Sequence, residues 1–123
     1  MKIIIVDDDK CVLDVLTRMI RRVRPAVKNA IFSLGRSDVA WNRISIMEEG
    51  PFIVFSSVDM DGQSEMSGLD LLTAVKQKFP DTIFVSMSGT HSYAEEAEQG
   101  GANYFLSKPF SRTDIEKIFA ENA

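Results

Sequence analysis

The sequence predicts an α/β domain built on a five-stranded parallel sheet with helices on both faces. Two observations carry that expectation. Short apolar runs alternate with segments of helical period five times along 123 residues, and a parallel sheet covered on both sides is the economical solution to that alternation. The first run, Ile3-Ile4-Ile5-Val6, is continuously apolar and stops at carboxylates. A strand without polar alternation is one buried on both faces, as in α/β sheets.

The elements follow in order. Residues 2–6 form the first strand, and Asp9 can cap the helix after it. On that helix Val12, Leu16, Met19 and Val23 recur at helical spacing, with Pro25 just past the end. Residues 30–34 make a second strand and 37–47 a second helix. Gly50-Pro51 breaks the pattern before a third buried strand at 52–55. Leu69, Leu72, Val75 and Phe79 line a third helix stopped by Pro80. Residues 83–85 and 104–106 read as strands four and five, with a short acidic helix at 91–99 between them. Ser111 and Asp114 form a capping pair for the last helix, whose apolar face is Ile115, Ile118 and Phe119. Right-handed crossovers favour the flavodoxin-like strand order 2-1-3-4-5, in which chemistry collects at the carboxyl ends of the strands.

Composition narrows the function classes. Hydrophobic residues at 45% and charged residues at 26% fit one globular domain over 1–123. No apolar run is long enough to span a bilayer, and the apolar start is too short for an export signal, so a cytoplasmic protein without membrane contact is expected. The one cysteine, Cys11, cannot form an internal disulfide, which agrees with a reducing compartment; it reads as a small buried residue. The net charge of −4 disfavours nucleic-acid binding by the domain as a whole. Arg18, Arg21, Arg22, Arg24 and Lys28 cluster in and after the first helix, either as a solvated face or as a docking patch for an acidic partner.

The strand ends hold the candidate chemistry. Asp7, Asp8 and Asp9 follow strand one, and adjacent carboxylates repel unless a cation or solvent screens them. They are either solvated helix caps or a site for a hard cation such as Mg²⁺. Ser88-Gly89 follows strand four and Lys108-Pro109-Phe110 follows strand five. A hydroxyl and an ammonium near the acids would suit an anion bridging metal and lysine.

Those residues carry a family resemblance across essentially the whole chain. Ile4-Ile5-Val6-Asp7-Asp8-Asp9, the run from Ile53 to Met60, Met66-Ser67-Gly68-Leu69, Ser88-Gly89, and Gly101-Ala102 followed by Lys108-Pro109-Phe110 resemble the landmarks of response-regulator receiver domains. The resemblance implies a signalling module, not an enzyme, in which Asp7 and Asp8 hold Mg²⁺. Position Asp59 would offer its backbone carbonyl, or here its side chain, to the metal. It further implies that Ser88 is a switch hydroxyl, that Lys108 contacts the phosphoryl group, and that the Lys108–Pro109 bond is cis. Phe105 matches an aromatic switch position, and reads equally well as a core aromatic. The implied partners are a histidine kinase or another signalling protein, with a homodimer through the face of the fourth helix, fifth strand and fifth helix. The chain stops directly after the fifth helix, so a stand-alone or excised receiver is expected.

One departure matters most. Such receivers end strand three with aspartate, then two residues, then Met-Pro; this sequence has Ser57, Val58, Asp59, Met60, Asp61. Ser57 therefore falls at the phosphoacceptor position, and the loop to Met66 carries about three extra residues and should be exposed. Serine would form a stable ester rather than a reversible acyl phosphate, and needs a base. Losing a carboxylate also weakens any Mg²⁺ site. A phosphorylation-deficient receiver is the expectation, ahead of a receiver using Asp59 and of a flavodoxin-like or metal-dependent phosphatase-type enzyme on the same fold.

Overall fold

The structure, a computed structural model, describes residues 2–58 and 66–122, apart from the side chains of 28 and 29. The elements are β1 (Ile3–Val6), α1 (Lys10–Val23), β2 (Ile31–Leu34), α2 (Ser37–Ser45), β3 (Ile53–Ser57), α3 (Gly68–Lys78), β4 (Ile83–Ser88), α4 (Ala94–Gln99), β5 (Tyr104–Ser107) and α5 (Arg112–Glu121). Short 3₁₀ segments, Pro25–Ala30 and His91–Tyr93, precede β2 and α4. The strands pair in parallel in the order β2-β1-β3-β4-β5, the arrangement the sequence predicts.

Strand alternation divides the interior into two layers. Ile3, Ile5, Ile53, Phe55, Val85, Met87 and Leu106 point to α1 and α5, where they meet Leu16, Ile20, Ile115, Ile118 and Phe119. Ile4, Val6, Val54 and Phe84 point the other way, against Ala40, Ile44, Leu71, Leu72, Val75 and Ala97 of α2, α3 and α4. The central strands are buried on both sides, which is why β1 reads as an unbroken apolar run.

Helix ends follow the side-chain chemistry. Asp9 accepts the Cys11 backbone N–H at the start of α1, and Ser67 and Ser111 form capping boxes with Asp70 and Asp114. Each such cap contributes about 1 kcal/mol by satisfying donors the helix leaves orphaned.

Several expectations are corrected. Strands β3 and β4 run on to Ser57 and Ser88, because register pairs such as Ser56↔Ser86 continue the ladder through buried serines. An apolar-run criterion stops too early there. Cys11 is exposed, not buried: it lies in the first turn of α1, ahead of the buried stripe that Leu16 and Ile20 form. The buried stripe of α1 is Leu16 and Ile20 with Leu13, Met19 and Val23 alongside, so Val12 is not on it. Leu71 joins Leu72 and Val75 as a buried α3 residue. Helix α2 stops at Ser45, leaving Ile46 exposed. The calls on Asp59, Met60, Asp61 and the loop through Glu65 lie outside the described residues. Among the described residues no helix is long and apolar enough to cross a membrane.

Candidate functional site

The site grows out of the same alternation. Asp7 continues β1 beyond Ile5, Ser57 continues β3 beyond Phe55, and Lys108 continues β5 beyond Leu106. All three thus share the parity of the α1/α5 layer at the carboxyl end of the sheet. There they meet. The Lys108 ammonium donates to Asp7 Oδ2 at 2.8 Å and to Ser57 Oγ at 2.9 Å. Asp7 Oδ1 accepts the Asp9 backbone N–H at 3.0 Å, so the Asp7 side chain, 1% exposed, has both oxygens engaged.

Burial pushes the Asp7 carboxyl above its ordinary value, and the hydrogen bond from Lys108, the Asp9 N–H and the Lys108 charge oppose the rise only in part. Neighbouring Asp8 adds a small upward push. Ser57 is fully buried. Its oxygen faces a cationic donor instead of a base, the opposite of what activating a hydroxyl nucleophile requires.

Helix α3 closes the site from below. A Cβ on Gly68 would lie 2.2 Å from the Ser57 carbonyl oxygen and 3.0 Å from Val58 Cα. Only glycine lets the start of α3 press against the end of β3. The Ser67–Asp70 capping box then fixes where that helix begins.

The remaining site residues take different places. The Lys108–Pro109 peptide bond is cis, as the resemblance implies. Ser88 is buried beside Lys108 along the backbone, where the Lys108 N–H donates to the Ser88 carbonyl at 2.8 Å. Its hydroxyl, however, accepts the Thr90 N–H at 3.1 Å and makes no hydrogen bond to the lysine. Ser88 shares its strand parity with the α2/α3/α4 layer, so the two side chains leave the sheet on opposite sides. Phe105 is half-buried against that layer, its ring 6.4 Å from the His91 ring. Ser107 Oγ lies 3.3 Å from His91 Nε2. His91, the chain's one histidine, follows directly after Ser88-Gly89-Thr90, and that position is its only signal in the sequence.

Among the described residues the donors for Mg²⁺ are of the right type but few. Asp7 and exposed Asp8 supply carboxylate oxygens, while Lys108 already neutralises Asp7. Among the described residues no group of three or more His, Cys, Asp or Glu gathers to hold a metal. A cation would therefore compete with the ammonium for Asp7.

This architecture agrees with the comparisons with known proteins. Residues 3–120 match the model of the response regulator receiver domain. The chain belongs to that family. A protein of Arabidopsis thaliana described as a two-component response regulator is 27% identical over 117 residues, 95% of this chain and 18% of its own length. The DNA-binding transcriptional regulator NtrC of Azospirillum brasilense is 27% identical over 118 residues, 94% of this chain and 23% of that protein. The receiver thus spans about a fifth of the curated relatives it matches. Among solved structures, the receiver domain of NtrX from Brucella abortus superposes with a TM-score of 0.75 at 24% identity, covering 98% of this chain and 97% of that one. A receiver domain protein from Clostridium thermocellum does so with a TM-score of 0.82 at 18% identity, covering 98% and 92%. At these identities the likeness is one of fold. The chain is a receiver domain of the kind found in two-component response regulators.

Proposed function

We propose that this receiver works through protein contacts and does not accept a phosphoryl group at Ser57. One observation carries the reading: Lys108 holds Ser57 Oγ and Asp7 Oδ2 together at 2.9 and 2.8 Å in the pocket at the strand ends. Serine at the acceptor position brings a neutral hydroxyl where phosphoryl transfer needs a carboxylate. That hydroxyl lies closer to the backbone than a carboxylate oxygen would, short of the in-line position. The lysine that would greet a phosphoryl oxygen instead bridges two residues of the pocket and holds it in one arrangement.

In this reading Asp7 and Asp8 bind Mg²⁺ weakly, with Asp59 as a further donor; a bound cation would supply charge neutralisation for an incoming anion. Ser88 and Phe105 retain the places of switch hydroxyl and switch aromatic. The module has no enzymatic activity of its own and acts in the cytoplasm, as one domain over 1–123. Its partners are a histidine kinase or another signalling protein, and a second copy through the α4–β5–α5 face.

An NMR titration tests this. Mg²⁺ alone should shift the amides around Asp7 and Asp8 only at millimolar concentration, and adding beryllium fluoride should change nothing further. Saturable beryllofluoride shifts at Ser88 and Lys108 would overturn the proposal. Loss of those shifts in Asp59→Asn would then identify Asp59 as the acceptor.

A further inference from the structure

We infer that the amino end of the sheet is a self-association surface, where two copies of this chain meet with each Ile46 seated in the other's groove. The contact uses none of α4, β5 or α5 and does not depend on what happens at Ser57. Because the strands are parallel, the residues that enter them gather at the end opposite the Ser57 pocket. There an open groove of about 880 Å³ runs between Lys2 and Phe52, which lead into β1 and β3, and the residues that follow α2. Ile46 lines it and is 81% exposed, more than any other large apolar residue described. A lone exposed isoleucine is ordinary. This one stands beside an apolar recess, formed by half-buried Met47 and Phe52, that can take its counterpart from a second copy.

The groove is already formed in the single chain. The Phe52 N–H donates to the Lys2 carbonyl at 2.8 Å and the Ile83 N–H to the Phe52 carbonyl at 3.1 Å. On the opposite wall the Met47 N–H donates to the Ile44 carbonyl at 3.0 Å, and the Lys78 ammonium donates to the Ser45 carbonyl. A Cβ on Gly50 would lie 2.5 Å from the Phe79 ring, so glycine alone lets that ring pack under the groove. Little backbone has to be ordered when a second copy arrives, which lowers the cost of association.

Charge identifies the occupant. Lys2 and Arg43 bring two positive charges to the groove, and Glu48 and Glu49 bring two negative ones. All four are exposed, and none has an ion-pair partner among the described residues. Arg43 instead lies over the Phe32 ring, 4.4 Å from its centroid. A purely acidic or purely basic partner would satisfy one pair and press like charge on the other. A surface with both signs in equal number around its own apolar knob is complementary to itself. A two-fold axis beside Ile46 sets each copy's Lys2 and Arg43 against the other copy's Glu48 and Glu49, as an isologous contact requires.

Sedimentation velocity over a concentration series tests this. The parent chain should show a reversible monomer–dimer equilibrium. Ile46→Arg should weaken it about tenfold. Val15→Arg, the same kind of change at an exposed valine of α1, should leave it unchanged. Lys2→Glu/Arg43→Glu and Glu48→Lys/Glu49→Lys should each stay monomeric at concentrations where the parent dimerises. An equimolar mixture of those two variants should dimerise again, because opposite charges then face each other across the contact. Folding of each variant is checked by its amide spectrum. A parent that is monomeric at every concentration, a dimer indifferent to Ile46→Arg, or reversed variants that fail to pair on mixing would overturn the inference.

Discussion

Removing the Lys108 ammonium should cost this domain far more than an ordinary surface charge. The variant Lys108→Met keeps the length of the side chain and deletes its charge. It leaves Asp7 buried, with the Asp9 N–H its one remaining hydrogen-bond donor among the described residues. Breaking a buried pair from one side costs about 3–5 kcal/mol because the surviving charge stays desolvated. The Lys108 side chain is 22% exposed, so water can enter the gap, and the lower end, about 3 kcal/mol, is the better expectation. For a domain of this size that lowers Tm by roughly 10–20 °C. The pH dependence separates this cause from lost packing. Asp7 already has a folded-state pKa above 3.8, so its protonated form favours folding below 3.8, and that contribution is lost as pH rises through the folded value. Without Lys108 the folded value rises further. The stability gap between the parent and Lys108→Met should therefore be widest near neutral pH and shrink as pH falls toward 3.8. Urea unfolding across that range, with Asp7→Asn/Lys108→Met to close the double-mutant cycle, measures it. A gap under about 1 kcal/mol, the value of an exposed pair, or one that does not change with pH would refute the reasoning.

Three further outcomes follow from the same contacts. Gly68→Ala places a methyl against the Ser57 carbonyl and should cost about 1–3 kcal/mol in thermal or urea unfolding; an unchanged midpoint would mean that α3 does not press on β3 as described. Ser111→Ala removes the hydroxyl that caps α5 at the Asp114 N–H and should cost about 1 kcal/mol, read as a lower Tm. Asp8→Asn should abolish whatever Mg²⁺ binding calorimetry detects, and submillimolar affinity that survives the change would put the cation elsewhere.

How much of this was legible in the sequence depends on which physical signal each feature leaves. The β1 run, the Asp9 cap and the Ser111–Asp114 box announce themselves locally, so the topology and most helix starts could be read directly. Ser56, Ser57, Ser86 and Ser88 look like loop residues because hydroxyls carry no apolar signal. They are strand residues because cross-strand hydrogen bonds, invisible in one strand's composition, hold them. Strand ends alone point to Ser88 and Lys108 beside the acids, whereas Lys108 in fact meets Asp7 and Ser57, a residue that only the family resemblance singles out. Which side chains actually touch depends on strand parity, and parity sends Ser88 to the other side of the sheet. The exposure of Cys11 was illegible for a related reason: one residue's rotation about a capped helix turn decides it. His91 carried no periodic pattern at all, and its contacts with Phe105 and Ser107 arise from the 3₁₀ segment after β4.

We propose that Ser57 stands where phosphoryl transfer needs a carboxylate, and a small-molecule phosphoryl donor puts that proposal to the test. Parent protein and Ser57→Asp are incubated with radiolabelled acetyl phosphate and Mg²⁺, and the label is followed after alkaline treatment. We expect no label on the parent. On Ser57→Asp we expect an alkali-labile label, since that change restores an acid beside Asp7 and within reach of Lys108. Alkali-labile labelling of the parent, or an inert Ser57→Asp that still folds, would contradict the account.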